Sequence, residues 1–180
     1  RNTVAEVSPF VPDLDFVLNN AITDSDGIAV QNSLTLTPDA SGISLRFGRL
    51  WLEDSYGPET NDLIMPMRTE YFDGTRYDVN TLDSCFVWDN SNATVDSLSA
   101  VQAGTGMLVS GHSGSDGISL QAPTDVAGTP DTGDANVGYN APAWLEGDYD
   151  NDGSFEDPSA TATFGVNRGH ERLIYRKEVR

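Results

Sequence analysis

A two-residue alternation of apolar and polar side chains restricts this chain to extended structure. The alternation is clearest in ISLRFGRLWLED (43–54), where Ile43, Leu45 and Phe47 share one phase and the apolar residues after Gly48 take the opposite phase. Successive residues of a strand point to opposite faces, so the pattern predicts a β-strand, and the change of phase at Gly48 predicts a β-bulge. No stretch keeps a 3.6-residue period over three turns, and we therefore expect an all-β fold.

A second alternation, LIMPMRTEYF (63–72), is interrupted by Pro66. Proline has no N–H to donate to a β-ladder, so we expect an edge strand or a bulge at this position. The Asp73-Gly74 pair that follows predicts a two-residue hairpin turn leading into TRYDV (75–79).

Shorter alternating segments predict the remaining strands, at 33–37, at 117–123 and in a C-terminal hairpin over 160–179. Two segments rich in small and polar residues, 89–116 and 124–141, are predicted to be long loops. The predicted architecture is a β-sandwich, jelly-roll or immunoglobulin-like, with about seven to nine strands.

We expect residues 43–180 to form one β domain, and we leave open whether residues 1–42 belong to the same sandwich. The chain begins at Arg1 without a signal peptide, so we expect it to be a piece of a longer protein. No apolar run approaches the roughly 18 residues that a transmembrane helix needs, so no membrane span is expected.

The charge of the chain limits its partners. Lys and Arg number 10 against 28 Asp and Glu, which gives a net charge of −18. Such a surface repels phosphate backbones and anionic lipids, so we expect no binding to nucleic acid or to a membrane surface. A carboxylate-rich surface does suit divalent cations.

The segment DYDNDG (148–153) predicts a calcium site. Asp148, Asp150 and Asp152 alternate and are followed by Gly153, as in the first half of a calcium-binding loop. A hard cation takes six to eight oxygen ligands, and a tight turn at the glycine lets the side chains converge on it. The alternative is a solvated acidic turn that precedes a strand.

Further ligands are expected just after this segment. In the register of a calcium loop, Ser154 would supply a backbone carbonyl and Glu156 a further oxygen, with Asp157 as an additional candidate. Ser159 stands where an EF-hand has its bidentate glutamate, and no helices are predicted beside the loop. The sequence therefore predicts a calcium loop outside the EF-hand class.

Catalytic signals are weak. His112 lies among serines in SGHSGSDG (110–117), but nothing there resembles the strained turn that carries a catalytic serine, and a flexible loop is the favoured interpretation. No pair of carboxylates is singled out for glycoside hydrolysis. We therefore expect no enzymatic activity, with a hydrolase as a minor alternative.

Two other residue types have open roles. Cys85, beside Phe86, is predicted to be a buried and inert thiol, with a disulfide to another part of the protein as the alternative. Trp88 and Trp144 flank loops, so either ring could stack on a sugar, although core packing is the default expectation.

Four runs of sequence resemble the C-terminal domain of MshQ-like proteins, which are encoded with the mannose-sensitive haemagglutinin (MSHA) type IV pilus of Gram-negative bacteria. The runs are LRFGRLWLEDSYGPE (45–59), MPMRTEYFDG (65–74), NTLDSC (80–85) and DYDNDGSFEDPSATATFGVNRGHERLIYRKEV (148–179). The resemblance covers about residues 43–180, with the motifs in the same order.

The resemblance implies a non-enzymatic domain, secreted or held at the surface of a Gram-negative bacterium, that acts in pilus assembly, tip display or adhesion. Its expected partners are pilus subunits or neighbouring surface domains, and the acidic loop before DPSA (157–160) supports Ca²⁺ as the bound ion. Two alternatives remain open: a glycan-binding module and a self-associating subunit of a surface filament.

Overall fold

The computed structural model of the protein describes residues 6–13, 15–18, 23, 25–28, 34–96 and 98–165. These residues contain thirteen β-strands, one short 3₁₀ turn at Asn90–Asn92 and no α-helix. None of the described segments forms a helix long and apolar enough to cross a membrane. The expectation of an all-β fold is confirmed.

The strands are short and follow one another closely along the chain. They are β1 (Phe16–Leu18), β2 (Leu34–Leu36), β3 (Gly48–Leu52), β4 (Ser55–Gly57), β5 (Leu63–Met65), β6 (Met67–Phe72), β7 (Tyr77–Val79), β8 (Val87–Asp89), β9 (Ala93–Val95), β10 (Thr105–Met107), β11 (Ile118–Leu120), β12 (Gly133–Tyr139) and β13 (Ser159–Phe164).

The described chain divides into two compact units. The smaller unit holds residues 6–47 and 72–77, and its sheet is the antiparallel pair β1-β2. The larger unit holds the other described residues from Gly48 onward.

Four sheets build the larger unit. The widest has the order β4-β13-β12-β9, and in it β13 pairs antiparallel with β12 and parallel with β4. A three-stranded sheet has the order β3-β6-β7, and the pairs β11-β5 and β10-β8 complete the set.

One hydrophobic core lies inside the larger unit, and it is lined by alternate residues of the strands. Leu50 and Leu52 of β3, Val137 of β12, and Ala162 and Phe164 of β13 are all buried in it. Several sheets around one core are consistent with a β-sandwich. Ala160, Ala162 and Phe164 alternate along β13 and are buried, which confirms the first strand of the hairpin predicted over 160–179.

The predicted bulge at Gly48 is wrong. β3 and β6 pair in constant register from Gly48↔Tyr71 onward, and the Phe72 N–H donates to the Phe47 carbonyl at 2.9 Å, which continues that register by one pair. No residue is inserted on either strand. The change of phase instead coincides with the boundary between the two compact units.

Pro66 separates two strands of different sheets. β5 before it pairs with β11, whereas β6 after it belongs to the sheet with β3 and β7. The Pro66 carbonyl accepts from the Glu53 N–H at 3.0 Å. Proline therefore marks a change of sheet here, rather than the edge strand or bulge that the sequence predicts.

The hairpin at Asp73-Gly74 is confirmed, but its turn is longer than two residues. β6 ends at Phe72, β7 begins at Tyr77, and the Asp73 N–H donates to the Arg76 carbonyl at 2.9 Å. The Asp73 carboxylate accepts from the N–H groups of Thr75 and Arg76, so the side chain itself organises the turn.

Both predicted long loops contain strands. Residues 89–116 include β9 and β10, and residues 124–141 include β12, which has paired neighbours on both sides. The strands predicted at 33–37 and 117–123 are present as β2 and β11. The returning strand of the predicted C-terminal hairpin lies outside the described residues.

Candidate metal centre and the residues that position it

The acidic segment is a closed loop. Gly147 and Glu156 form an antiparallel bridge, with the Gly147 N–H donating to the Glu156 carbonyl at 3.0 Å and the reverse bond at 2.9 Å. Between them the chain turns through Asn151 (φ 62°) and Gly153 (φ 89°), both in the left-handed region. The loop thus leaves and rejoins the larger unit at one point.

Three carboxylates converge inside this loop. Oxygens of Asp148, Asp150 and Asp152 all lie within 4.8 Å of one another, with Asp148 half-buried and the other two exposed. Two ligands that each lie 2.3–2.6 Å from a calcium ion are at most about 5 Å apart. The spacing of the three oxygens therefore fits a single Ca²⁺ ion.

Backbone N–H groups orient these carboxylates. Asp148 accepts from the N–H of Asp152 at 3.0 Å and from the N–H of Gly153 at 3.0 Å. Asp152 accepts from the Ser154 N–H at 2.7 Å, and Asp150 accepts from the Asp152 N–H at 3.1 Å. Each carboxylate oxygen has a second lone pair, so these bonds leave acceptor capacity for a cation.

The structure does not bring the other predicted ligands into this group. The carboxylates of Glu156 and Asp157 lie outside the set of three, and Asp157 accepts from the Ala141 N–H at 2.8 Å. Ser154 is exposed, and its N–H donates to Asp152. A calcium ion here would therefore take three side-chain ligands and complete its shell with backbone carbonyls or water.

Tyr149 ties the loop to the three-stranded sheet. Its hydroxyl donates a short hydrogen bond to the carbonyl of Leu50, and its ring lies 6.1 Å from the ring of Trp51, centroid to centroid. Gly147 makes this approach possible, because a Cβ at that position would lie 2.8 Å from Cζ of Tyr149 and 3.1 Å from Cδ of Arg49. The acidic loop is thus attached to β3.

A charged cluster lies on the same face of β3 and β6. The Arg49 guanidinium carbon is 5.0 Å from the Trp51 ring centroid and 5.5 Å from that of Tyr149. Arg49 and Arg68 each bind the buried carboxylate of Glu70 at 2.8 Å. Because the Glu70 charge has two partners, the cluster can hold it out of water.

Sequence reasoning missed these positioning residues. Tyr149 lies inside the acidic segment without a signal of its own, and its partner Leu50 lies far away in the sequence. The only local signal was Gly147 directly before the acidic segment.

The residues around His112 are used for folding. Ser113 is buried, and its hydroxyl donates to the Asp116 carbonyl at 2.6 Å while accepting from the Met67 N–H at 3.0 Å. The hydroxyl is therefore held by two backbone groups. Ser110 has a positive φ of 52° in the tight turn between Val109 and His112.

Cys85 is a free and exposed thiol, so the prediction of a buried thiol is wrong. It alternates with the buried residues Phe86 and Trp88, which places its side chain on the outward side.

Trp88 is 3 % exposed, which removes it as a sugar-stacking ring, whereas Trp144 is 57 % exposed.

Comparison with known families gives one match. The family model described as DUF6701, fourth domain, matches residues 46–179, which is more than half of the chain. No curated protein matches the chain. No solved structure matches it either.

Proposed function

The chain belongs to the DUF6701 family through that family's fourth domain, and from this premise we propose that it is a non-enzymatic, extracellular domain of a type IV pilus-associated surface protein. Its role is to join an adhesive module to the pilus or to neighbouring surface subunits. The resemblance to MshQ-like proteins supports this assignment, since its motifs lie within nearly the same residues as the family match.

The observation that carries the proposal is the tethered acidic loop. Asp148, Asp150 and Asp152 repel one another until a cation neutralises them, and calcium outside cells is abundant enough for a weak site of about 10⁻⁴–10⁻³ M. Through Tyr149 on one side and the bridge at Glu156 on the other, an ordered loop would stiffen both β3 and the entry to β13.

A rigid module suits a structural role better than a catalytic one. The Ser113 hydroxyl, next to His112, is held by two backbone groups and thus serves the fold. Arg49 of the charged cluster around Glu70 also lies against the Tyr149 ring of the loop. These contacts support a structural role for the domain.

The test is made in cells that display the full-length protein. Removal of residues 43–180 should release the remaining adhesive part into the medium or reduce the number of surface pili counted by electron microscopy. The variant Asp150→Asn/Asp152→Asn should show a weaker form of the same defect, and chelation of calcium should reproduce that defect in the parent. Unchanged pili and unchanged surface retention after the deletion would contradict the proposal.

A glycan-binding module is the second candidate, because Trp144 is exposed and supported from one side. Its ring meets the buried Phe86 edge to face at 6.2 Å, and the Leu145 N–H donates to the Pro142 carbonyl at 2.7 Å in the turn that carries it. Binding to a glycan array that is lost in Trp144→Ala would favour this candidate over the anchoring role.

A further inference from the structure

The outward face of the two-stranded sheet β10-β8 is apolar and exposed. Val87 and Met107 are cross-strand partners, 60 % and 53 % exposed. One pair further along, the Leu108 N–H donates to the Phe86 carbonyl at 3.0 Å, which places Cys85 opposite Val109, itself 67 % exposed. We call these four residues, Cys85, Val87, Met107 and Val109, the β8/β10 face.

The opposite side of this sheet is fixed to the core. Phe86, Trp88 and Leu108 alternate with the residues of the β8/β10 face and are 7 %, 3 % and 0 % exposed. The Trp88 ring covers Gly106 so closely that no side chain fits between them. The apolar face is therefore presented on a rigid support, which lowers the ordering cost of binding.

The charged residues that neighbour the face in the sequence are all acidic. From Tyr77 to Gly165 the sequence has no lysine or arginine, whereas aspartate and glutamate recur throughout. Asp83 precedes the face and Asp89 follows it on the same strand. Hydrogen bonds from the Ser91 backbone N–H and hydroxyl hold the pKa of Asp89 below its ordinary value, so its carboxylate stays charged.

A contiguous apolar patch on an otherwise charged surface marks an interaction site. We propose that the β8/β10 face docks a polypeptide partner whose apolar side chains are flanked by lysine or arginine. The apolar side chains cover Val87 and Met107, and the basic ones meet the carboxylates at the two ends of the face. Complementary charge gives such a partner fast association and register.

A second copy of this chain fits the face less well. Its own β8/β10 region brings carboxylates to the contact and no basic side chain to match them. Of the four arginines among the described residues, Arg49 and Arg68 are held in ion pairs with Glu70, and Arg76 lies 3.9 Å from Asp73. Like charges at the rim would oppose self-association.

The inference rests on the anchoring role proposed above, since it names the chemistry of the partner that the domain would hold. The two can fail separately. If deletion of residues 43–180 releases the protein from the surface but Val87→Thr/Met107→Thr does not, the anchoring role stands and this docking site is wrong.

The direct test uses the ¹⁵N-labelled chain in reducing buffer and three short synthetic peptides. The first alternates valine and lysine, the second has serine in place of valine, and the third has glutamate in place of lysine. We expect the first peptide to bind about tenfold more tightly than the second, which corresponds to about 1.4 kcal/mol. Its amide shifts should fall on residues 85–89 and 105–109.

Variants separate the face from general charge attraction. Val87→Thr/Met107→Thr should remove the preference for the first peptide, whereas Val126→Thr, at a valine that is fully exposed elsewhere, should retain it. Equal binding of the valine and serine peptides, or equal binding of the lysine and glutamate peptides, would overturn the proposal. Concentration-dependent self-association that the double variant abolishes would overturn it in favour of a second copy.

Discussion

The indole ring of Trp88 lies directly on Gly106, its cross-strand partner in the β10-β8 sheet. A Cβ built on Gly106 would stand 2.1 Å from Cζ2 of Trp88, a distance that no packed structure tolerates. Gly106 is therefore required for close approach, and the tryptophan that it admits is 3 % exposed. The position of one glycine thus determines how the sheet attaches to the core.

Gly106→Ala should destabilise the chain by about 1–3 kcal/mol, because the added methyl must push the Trp88 ring out of its place in the core. Chemical denaturation followed by tryptophan fluorescence measures the change. Gly42→Ala is the matched control, since a Cβ there meets nothing within 4 Å. The stability of this variant should be nearly that of the parent. Equal stability of the two variants would contradict the packing argument.

Tyr149→Phe should lower stability by about 0.5–1.5 kcal/mol, because the Leu50 carbonyl loses the hydrogen bond that the Tyr149 hydroxyl donates. It should also weaken calcium binding, since the loop is no longer held on β3. Isothermal titration with calcium and thermal unfolding in chelator measure the two effects. Tyr56→Phe, at a ring 69 % exposed, should change neither.

Calcium should raise the unfolding temperature. At about 100 times the dissociation constant, one site that binds only the folded state contributes about 2.7 kcal/mol, or roughly 5–11 °C for a chain of this size. Asp150→Asn/Asp152→Asn should abolish the shift. The control variant Asp116→Asn/Asp131→Asn removes the same amount of charge elsewhere and should retain the calcium-induced shift. Loss of the shift in both variants would indicate general charge screening.

Asp62→Asn should lower the free energy of unfolding at neutral pH. The stability of the variant should also fall less than that of the parent when the pH is lowered. The Ala122 backbone N–H and the Gln102 side-chain amide donate to Asp62, both at 2.8 Å, and hold its pKa below the ordinary value of 3.8. A carboxylate whose pKa is lower in the folded state than in the unfolded state stabilises the fold at pH values above its unfolded-state pKa. This stabilisation is lost as the pH falls through the folded-state pKa.

The difference in unfolding temperature between the parent and Asp62→Asn should therefore be constant above about pH 5 and shrink below about pH 4. Thermal unfolding by circular dichroism over this range measures it. A difference that stays constant to the lowest pH would mean that the Asp62 charge plays no part.

The strands with regular alternation were predictable, because burial of one face leaves a period of two in the sequence. Strand β12 was missed, since glycine, aspartate and asparagine at its outward positions suggest a loop. The inward positions Ala135, Val137 and Tyr139 do alternate and are all buried. Pairing with β13 and β9 on its two sides overrides the weak strand propensity of the outward residues.

The site was predictable only where its geometry is local. The convergence of Asp148, Asp150 and Asp152 follows from their spacing and the turn at Gly153. The tie between Tyr149 and Leu50 joins residues distant in the sequence, and no local pattern encodes such a contact. Asp157 illustrates the converse, since its place beside the acidic segment suggested a ligand while its carboxylate instead binds the Ala141 N–H.

The parallel pairing of β13 with β4 has a consequence for biosynthesis. Ala162 lies opposite Ser55, and on its other side the same strand pairs with β12. The widest sheet therefore has a gap until residues 159–164 have left the ribosome. Before that moment β4 and β12 both expose unpaired backbone groups, which can pair with other chains. The nascent chain therefore needs protection from aggregation until β13, its last described strand, has paired with β4 and β12.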